Sequence, residues 1–417
     1  MLDIWKKILQ AGGARIYSMG LAFLSLILTA RVLGPEGRGQ FVVITTLTTM
    51  LATLTCLSLG QVVLYRAAQS RGGVWLSDSY RVLVTFTGAL SLISWGLAVI
   101  VYLTPLRTVY GDLNPLWLAL GFLALPFRIW ENYSISLFQA LGKLNFYNVL
   151  LVVSSTVGVL ALVLLIQWLQ LGLLGALAAL LVGQAVLSLG GLAALHRLAL
   201  GYRLPTREAC TTFVGDGLKI HLNTIGMLLI AGIDLLMLNY YRGAEETSQY
   251  QVAAQLMGII MLVPQAASQI VFSKISDLGP RGAWPLQRKI VWQSTALMLG
   301  ISLALGLSAR VWLPAIFGHD YIASIELLDC LLFAGLGMTF STLMAPQWIG
   351  RGLLLQASLL TITSGIINVI LNSQFIPTYG AAGATYSVIL TYGFAIVVHS
   401  AMFIHCEREH EQSNTDT

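Results

Sequence analysis

The chain has 417 residues, of which 57% are hydrophobic and only 10% are charged, and its mean hydropathy is +0.79. A soluble domain carries about 25% charged residues, so this composition excludes an ordinary water-soluble protein. The formal net charge of +5 is better explained by anionic lipid at one membrane face than by nucleic acid. The cysteines show no metal-binding spacing, and we expect four free thiols. They are Cys56, Cys210, Cys330 and Cys406.

Twelve apolar runs are long enough to be membrane-spanning helices. The predicted spans are 15–33, 41–64, 82–104, 115–139, 147–168, 172–195, 219–240, 250–273, 290–313, 321–349, 355–375 and 380–404. The sequence therefore predicts an all-α polytopic membrane protein. We find no secretory signal-peptide pattern in the first fifteen residues. Nor do we find a nucleotide-binding loop or a nucleophile elbow, so we expect neither a cofactor nor transport driven by ATP within this chain.

The distribution of Lys and Arg predicts the orientation of the chain. Most of the 23 Lys and Arg residues fall in loops on the side that carries both termini, which the positive-inside rule assigns to the cytoplasm. Residues 405–417 then form a cytoplasmic tail. The cations expected on the outer side are Arg31, Arg38, Arg107, Arg242 and Arg310.

Three short segments recur at a separation close to half the chain length, which indicates an internal repeat. The aligned pairs are Gly34 with Gly243 at a shift of 209 residues, and QALGK (139–143) with QWIGR (347–351) and GLLGA (172–176) with GAAGA (380–384) at a shift of 208. In the segment RVLGPEGRGQF (31–41), which contains Gly34, the residues Gly34, Pro35, Gly37 and Gly39 are all expected to break a helix.

The repeat predicts two six-helix bundles, at 1–195 and 219–404, joined by a cytoplasmic linker at 196–218. Six is an even number, so both bundles enter the membrane with the same polarity. We therefore expect a parallel pseudo-two-fold axis along the membrane normal, with a substrate cavity between the bundles and transport by alternating access.

Four segments in the same order resemble the polysaccharide transporters, or lipid-linked oligosaccharide flippases. They are ARVLGPEGRGQF, LFQALGKLNFYN, GIDLLMLNYYRGAEETSQYQVA and IPTYGAAGATYS. The resemblance implies a bacterial inner-membrane protein that moves an undecaprenyl-pyrophosphate-linked sugar unit between leaflets. It also implies glycan-assembly proteins as partners. The same superfamily holds multidrug and toxic compound extrusion proteins and lipid II flippases.

Span four contains the charged pair Arg128 and Glu131, which lie three residues apart and so on one face of the helix. Pro126 precedes them and is expected to kink the helix. Charges inside a span are costly and are therefore functional candidates. Arg128 could contact the pyrophosphate while Glu131 tunes it or takes up a proton. A buried ion pair that only fixes helix packing explains the same pattern.

Asp234, a lone acid in span seven, is the candidate for a proton or Na⁺ coupling site, with a structural hydrogen bond as the alternative. Lys219 opens the same span and could meet an anionic head group, although it also satisfies the positive-inside rule. Arg31 could line the cavity or snorkel to the interface. Asparagines that could bind a sugar, or only join helices, are Asn223, Asn239, Asn368 and Asn372.

Two other functions fit parts of this pattern. A multidrug–cation antiporter would need a cavity dominated by acids and aromatic rings, and Arg128 argues against it. A membrane-embedded glycosyltransferase or polymerase would need a large outer loop with catalytic residues, whereas the outer loops here are short.

Overall fold

The structure is a computed structural model that describes residues 2–69, 74–104, 110, 113–199 and 204–415. Helices dominate the described residues. Outside them lie Arg107, residues 200–203 of the predicted linker, and residues 416–417 of the predicted tail.

The chain divides into two compact units. Unit 1 comprises Met1–Ile225 and Gly243–Glu245, and unit 2 comprises Gly226–Arg242 and Glu246–Thr417. The division falls inside a helix that begins at Arg207, so the second half of the predicted linker is helical. The predicted bundle limits at 195 and 219 stay a prediction.

The helices that lie wholly or partly in unit 1 are α1 (Leu2–Thr55), α2 (Leu59–Gln69), α3 (Val74–Leu103), α4 (Pro115–Phe122), α5 (Leu125–Ala140), α6 (Leu144–Leu162), α7 (Gly172–Leu198) and α8 (Arg207–Ala231). The helices of unit 2 are α9 (Ile233–Arg242), α10 (Ala244–Ile260), α11 (Leu262–Gly282), α12 (Trp284–Phe317), α13 (Ala323–Gly350), α14 (Leu354–Tyr379) and α15 (Ala381–Thr415). The first residues of α10 belong to unit 1.

Ten helical stretches of the described chain are long and apolar enough to cross a membrane. Two differences from the predicted twelve have a simple physical reason. The stretch Ile16–Thr55 has 40 residues, about 60 Å of helix, which is twice the hydrocarbon thickness and therefore accommodates two spans. Span four is divided between α4 and α5, each too short to be counted alone. The protein thus has about twelve membrane-spanning helices in two bundles.

The first two spans join at Gly34, whose backbone angles (φ 66°, ψ 179°) are outside the helical range. This conformation is essentially restricted to glycine. The prediction that Gly37 and Gly39 also interrupt the helix is wrong, because within α1 the non-helical backbone angles are those of Gly34. Gly39 serves close packing instead: a Cβ there would lie 1.8 Å from the carbonyl oxygen of Ala244, which is also in unit 1.

Glycines with positive φ mark corresponding turns in the two halves of the sequence, as a repeat requires. The pairs are Gly34 (66°) with Gly243 (88°), Gly142 (67°) with Gly352 (75°), and Gly172 (55°) with Gly380 (60°). The first and third pairs are those that the sequence alignment predicted. The second pair corrects the sequence alignment, which placed Gly142 opposite Gly350. Gly350 is helical, and the glycine that shares the conformation of Gly142 lies two residues later, at 352.

Span two is interrupted between α1 and α2, where Leu57 and Ser58 both have positive φ. Lipid cannot satisfy backbone groups that such a break releases. Other helices supply the partners: the Tyr133 hydroxyl of α5 donates to the Cys56 carbonyl at 2.8 Å. The Nε2 atom of His221, from α8, lies 2.9 Å from the Leu54 carbonyl. The break is therefore held by two neighbouring helices.

Span four is interrupted at Leu123 and Ala124. Pro126 lies in the first turn of α5, where a missing backbone N–H costs nothing. The kink predicted at Pro126 is thus the start of a new helix. α5 packs against α1, α2, α3 and α7, and Leu137 and Phe138 on it are fully buried. Because lipid tails are as apolar as leucine, this packing is driven by van der Waals contact rather than by exclusion of water.

Candidate functional site

The charged pair of span four is formed in unit 1. Arg128 and Glu131 lie three residues apart on α5, with a guanidinium nitrogen (Nη1) 3.6 Å from a carboxylate oxygen (Oε2). Each side chain is about a quarter exposed (25% and 24%). Gln184 of α7 interacts with the Glu131 carboxylate. A partly exposed guanidinium in a membrane helix can bind a phosphate oxygen, because it keeps free donors after pairing with one carboxylate.

Neighbouring contacts fix the position of α5 around this pair. The Ser188 hydroxyl of α7 donates to the Phe127 carbonyl at 2.8 Å. The ring of Trp130 meets Tyr80 of α3 edge-to-face, with 6.0 Å between centroids. Together with the Tyr133 hydrogen bond to span two, these contacts hold the turn that carries Arg128 from three sides.

Asp234 lies in unit 2, in the first turn of α9, and is 6% exposed. The break before α9 at Gly232 gives the carboxylate a helix N-terminus, whose partial positive charge favours an anion. The Leu235 amide donates to Oδ1 at 2.9 Å, and the Tyr250 hydroxyl donates to Oδ2. Tyr392 of α15 is close enough to interact electrostatically with the same carboxylate. The side chain is therefore a buried acid held by two donors.

A chain of buried amides and a hydroxyl lies on α14 and α15, both of which pack against α9. The Asn372 side chain donates to Asn368 at 2.9 Å, and Asn368 donates to Thr391 at 3.4 Å. All three are at most 1% exposed. The Asn372 amide oxygen has no hydrogen-bond partner within the part of the chain that the structure describes. Such oxygens suit a small hard cation or a hydroxyl donor.

The remaining predicted residues lie elsewhere on unit 1 and have weaker support. Lys219 on α8 is 79% exposed and pairs with Asp216 at 3.5 Å, while Asp216 also meets Arg66 at 3.7 Å. Asn223, on the same helix, and Arg31, in α1 shortly before the kink, are exposed.

Two residues of unit 1 make buried contacts that the sequence did not predict. Arg38, which we predicted as a cation on the outer side, is 3% exposed within α1 and donates to the Thr29 hydroxyl across the Gly34 kink. His221 is buried within unit 1, with Nδ1 3.0 Å from the Ser58 hydroxyl. Contacts across a kink or a break leave no signal in apolar periodicity.

Solved transporters of one superfamily share this fold. An inward-facing multidrug resistance MATE family transporter of the MOP superfamily has a TM-score of 0.74 and 16% identity, covering 94% of this chain and 96% of that one. The lipid II flippase MurJ, in an inward closed conformation, has a TM-score of 0.77 and 13% identity, covering 93% and 86%. A MOP superfamily transporter of Pyrococcus furiosus, described as having a binding pocket of reverse polarity, has a TM-score of 0.64 and 17% identity, covering 94% and 93%.

The described helices thus form a multi-pass membrane protein whose fold is that of transporters of the MOP superfamily. Residues 4–275 match the family described as polysaccharide biosynthesis protein, and the chain belongs to that family. An uncharacterized membrane protein of Methanocaldococcus jannaschii, MJ1068, is 20% identical over 215 residues, which is 50% of this chain and 42% of that protein. The chain therefore matches less than half the length of that relative.

Proposed function

We propose that this protein is a flippase for a lipid-linked oligosaccharide, an undecaprenyl-pyrophosphate-linked repeat unit, that works by alternating access. The observation that carries the proposal is the Arg128–Glu131 pair on α5 in a chain of the polysaccharide biosynthesis family. The proposal includes a bacterial inner-membrane location with both termini in the cytoplasm. It also includes association with the proteins that assemble the glycan.

The substrate explains why a guanidinium is needed inside a membrane span. A polyprenyl tail can stay in lipid, but a pyrophosphate and its sugars must cross about 30 Å of hydrocarbon. Arg128 is one quarter exposed and pairs with one carboxylate, so its remaining N–H groups can bind phosphate oxygens. In the proposal Glu131 and Gln184 hold the guanidinium in place while substrate is absent. Arg31, Lys219 and Asn223 remain weaker candidates for head-group contact.

Asp234 is the proposed coupling residue. A carboxylate in a membrane bundle can exchange a proton or hold a cation such as Na⁺, and either event changes the net charge of the site. Its donors, Tyr250 and the Leu235 amide, are in place, and the oxygens of Asn368, Asn372 and Thr391 lie on helices that pack against α9. These features support ion- or proton-coupled transport. A purely structural hydrogen bond is the alternative that the test must exclude.

A second candidate function is a multidrug–cation antiporter. The specific observation in its favour is the TM-score of 0.74 with the MATE family transporter over 94% of this chain. A cationic drug would be repelled by Arg128, unlike a pyrophosphate. The two functions therefore make opposite predictions for a variant that removes this positive charge.

The experiment begins with deletion of the gene in its host and extraction of polyprenyl-linked oligosaccharides. An impermeant sugar-modifying reagent, applied to the intact cells before extraction, reports the leaflet in which they lie. Accumulation in the cytoplasmic leaflet, reversed by the wild-type gene, supports the flippase and gives the sugar by mass. Normal distribution together with increased sensitivity to cationic drugs contradicts it and supports the antiporter.

A further inference from the structure

An open groove between α12 and α13 of unit 2 carries charges that the proposed transport mechanism does not use. It consists of two adjoining cavities of about 410 and 600 Å³, both lined by Arg310 and Asp329. Glu326 and His319 line the second cavity. Arg310, Glu326 and Asp329 are all exposed on the surface of the protein. Charges exposed on helices that cross a membrane need a polar partner.

The part of the groove away from the charged residues is apolar and exposed. Leu303, Leu307 and Phe333 line it and are 57%, 82% and 65% exposed. Gly306 shapes the wall, because a Cβ there would lie 2.8 Å from the Asp329 carboxylate. The Asp329 carboxylate therefore packs directly against the backbone of α12 at Gly306. A hydrocarbon chain can lie along this part of the groove.

The length of α12 predicts that the charged part lies at the depth of a phospholipid head group. α12 has 34 residues, about 50 Å of helix, so it extends roughly 10 Å beyond each side of a hydrocarbon layer of about 30 Å. Arg310 lies about 10 Å from the end of α12 at Phe317, and Asp329 lies about 9 Å from the start of α13 at Ala323. With α12 centred on the hydrocarbon layer, we expect both charges at the boundary between acyl chains and head groups.

The charge pattern selects one kind of head group. Arg310 can bind a phosphate, whereas Asp329 and Glu326 repel a lipid whose only charge is negative. The Asp329 carboxylate interacts electrostatically with both Arg310 and Glu326, so the two signs lie side by side. We propose that this groove binds a zwitterionic phospholipid with a primary ammonium, phosphatidylethanolamine, with its phosphate on Arg310, its ammonium on Asp329 and Glu326, and an acyl chain along Leu303 and Phe333.

The test uses the purified full-length protein with phosphatidylethanolamine, phosphatidylcholine or phosphatidylglycerol added. Retained lipid is counted by native mass spectrometry, and thermal stability is measured in parallel. We expect the wild type to retain phosphatidylethanolamine best and to be stabilised most by it. Equal retention of the three lipids, or preference for phosphatidylglycerol, overturns the proposal.

Variants separate the two halves of the head group. Asp329→Asn should lower phosphatidylethanolamine affinity roughly tenfold, the effect of one charge-assisted hydrogen bond, and should lower phosphatidylcholine retention less, because a quaternary ammonium has no N–H to donate. Arg310→Gln should lower retention of both lipids, since both have the phosphate. If Asp329→Asn does not fold, Glu326→Gln, at an exposed position, tests the ammonium site independently. Asp320→Asn, an exposed acid in the adjoining turn, is the matched control. Undiminished phosphatidylethanolamine selectivity in Glu326→Gln and Asp329→Asn overturns the proposal.

Discussion

Neutralising the Arg128–Glu131 pair one residue at a time separates a transport role from a packing role. At the observed 3.6 Å and an effective dielectric constant of about 20, Coulomb's law gives an attraction of about 5 kcal/mol. Partial exposure and lost solvation reduce the net value. We therefore expect Arg128→Gln to destabilise the protein by roughly 2–4 kcal/mol, chiefly because Glu131 is left without its cation.

The double variant Arg128→Gln/Glu131→Gln removes both charges and should regain most of this stability, since a neutral pair needs no compensation. Transport should not return, because the proposed phosphate-binding guanidinium is still absent. The assays are the apparent melting temperature of purified protein and the leaflet distribution of lipid-linked oligosaccharide in cells. Arg197→Gln, at an exposed position in the last turn of α7, is the matched control and should change neither readout.

Two results would refute this reasoning. Wild-type transport by well-expressed Arg128→Gln removes the residue from the site. Restored transport in the double variant shows that the pair only stabilises helix packing, and the search for the head-group contact then moves to Arg31 and Lys219.

Three further predictions concern other parts of the molecule. Asp234→Asn keeps an acceptor for Tyr250, so it should fold but lose the dependence of flipping on a Na⁺ or pH gradient; an unchanged dependence excludes coupling at this residue. Gly34→Ala should lower the free energy of unfolding by about 1–3 kcal/mol because of the backbone angles at this position. Gly88→Ala, in an uncrowded turn of α3, should not destabilise the protein, and thermal melts compare the two variants. Burial raises the pKa of Tyr110 from 10.0 to about 12, so its neutral form stabilises the fold fully below pH 10, and this contribution is lost as the pH rises towards 12. Tyr110→Phe should therefore remove a late tyrosinate step from the ultraviolet titration, and an unaltered titration contradicts the assignment.

Apolar run length was sufficient to predict the membrane class and the approximate span positions, and the internal repeat predicted the two-bundle architecture. It could not predict the interruptions, because residues around Cys56 and Leu123 are as apolar as their neighbours, and their breaks depend on partners from other helices. Spacing alone predicted the contact between Arg128 and Glu131, three residues apart on one helix. The pairing of Lys219 with Asp216 has the same spacing and was overlooked. Partners such as Gln184 and Tyr250 come from other helices, and only the folded structure identifies them.

The interruption of span two has a consequence for how sequence changes act in this protein. The carbonyl groups of Leu54 and Cys56 receive their partners from α8 and α5 respectively. An unsatisfied carbonyl in lipid costs several kcal/mol. The local geometry of span two is therefore encoded partly in residues 133 and 221, far away in the chain. Comparisons of related sequences should treat these three segments as one inherited unit, in which a change at one position calls for compensation at another.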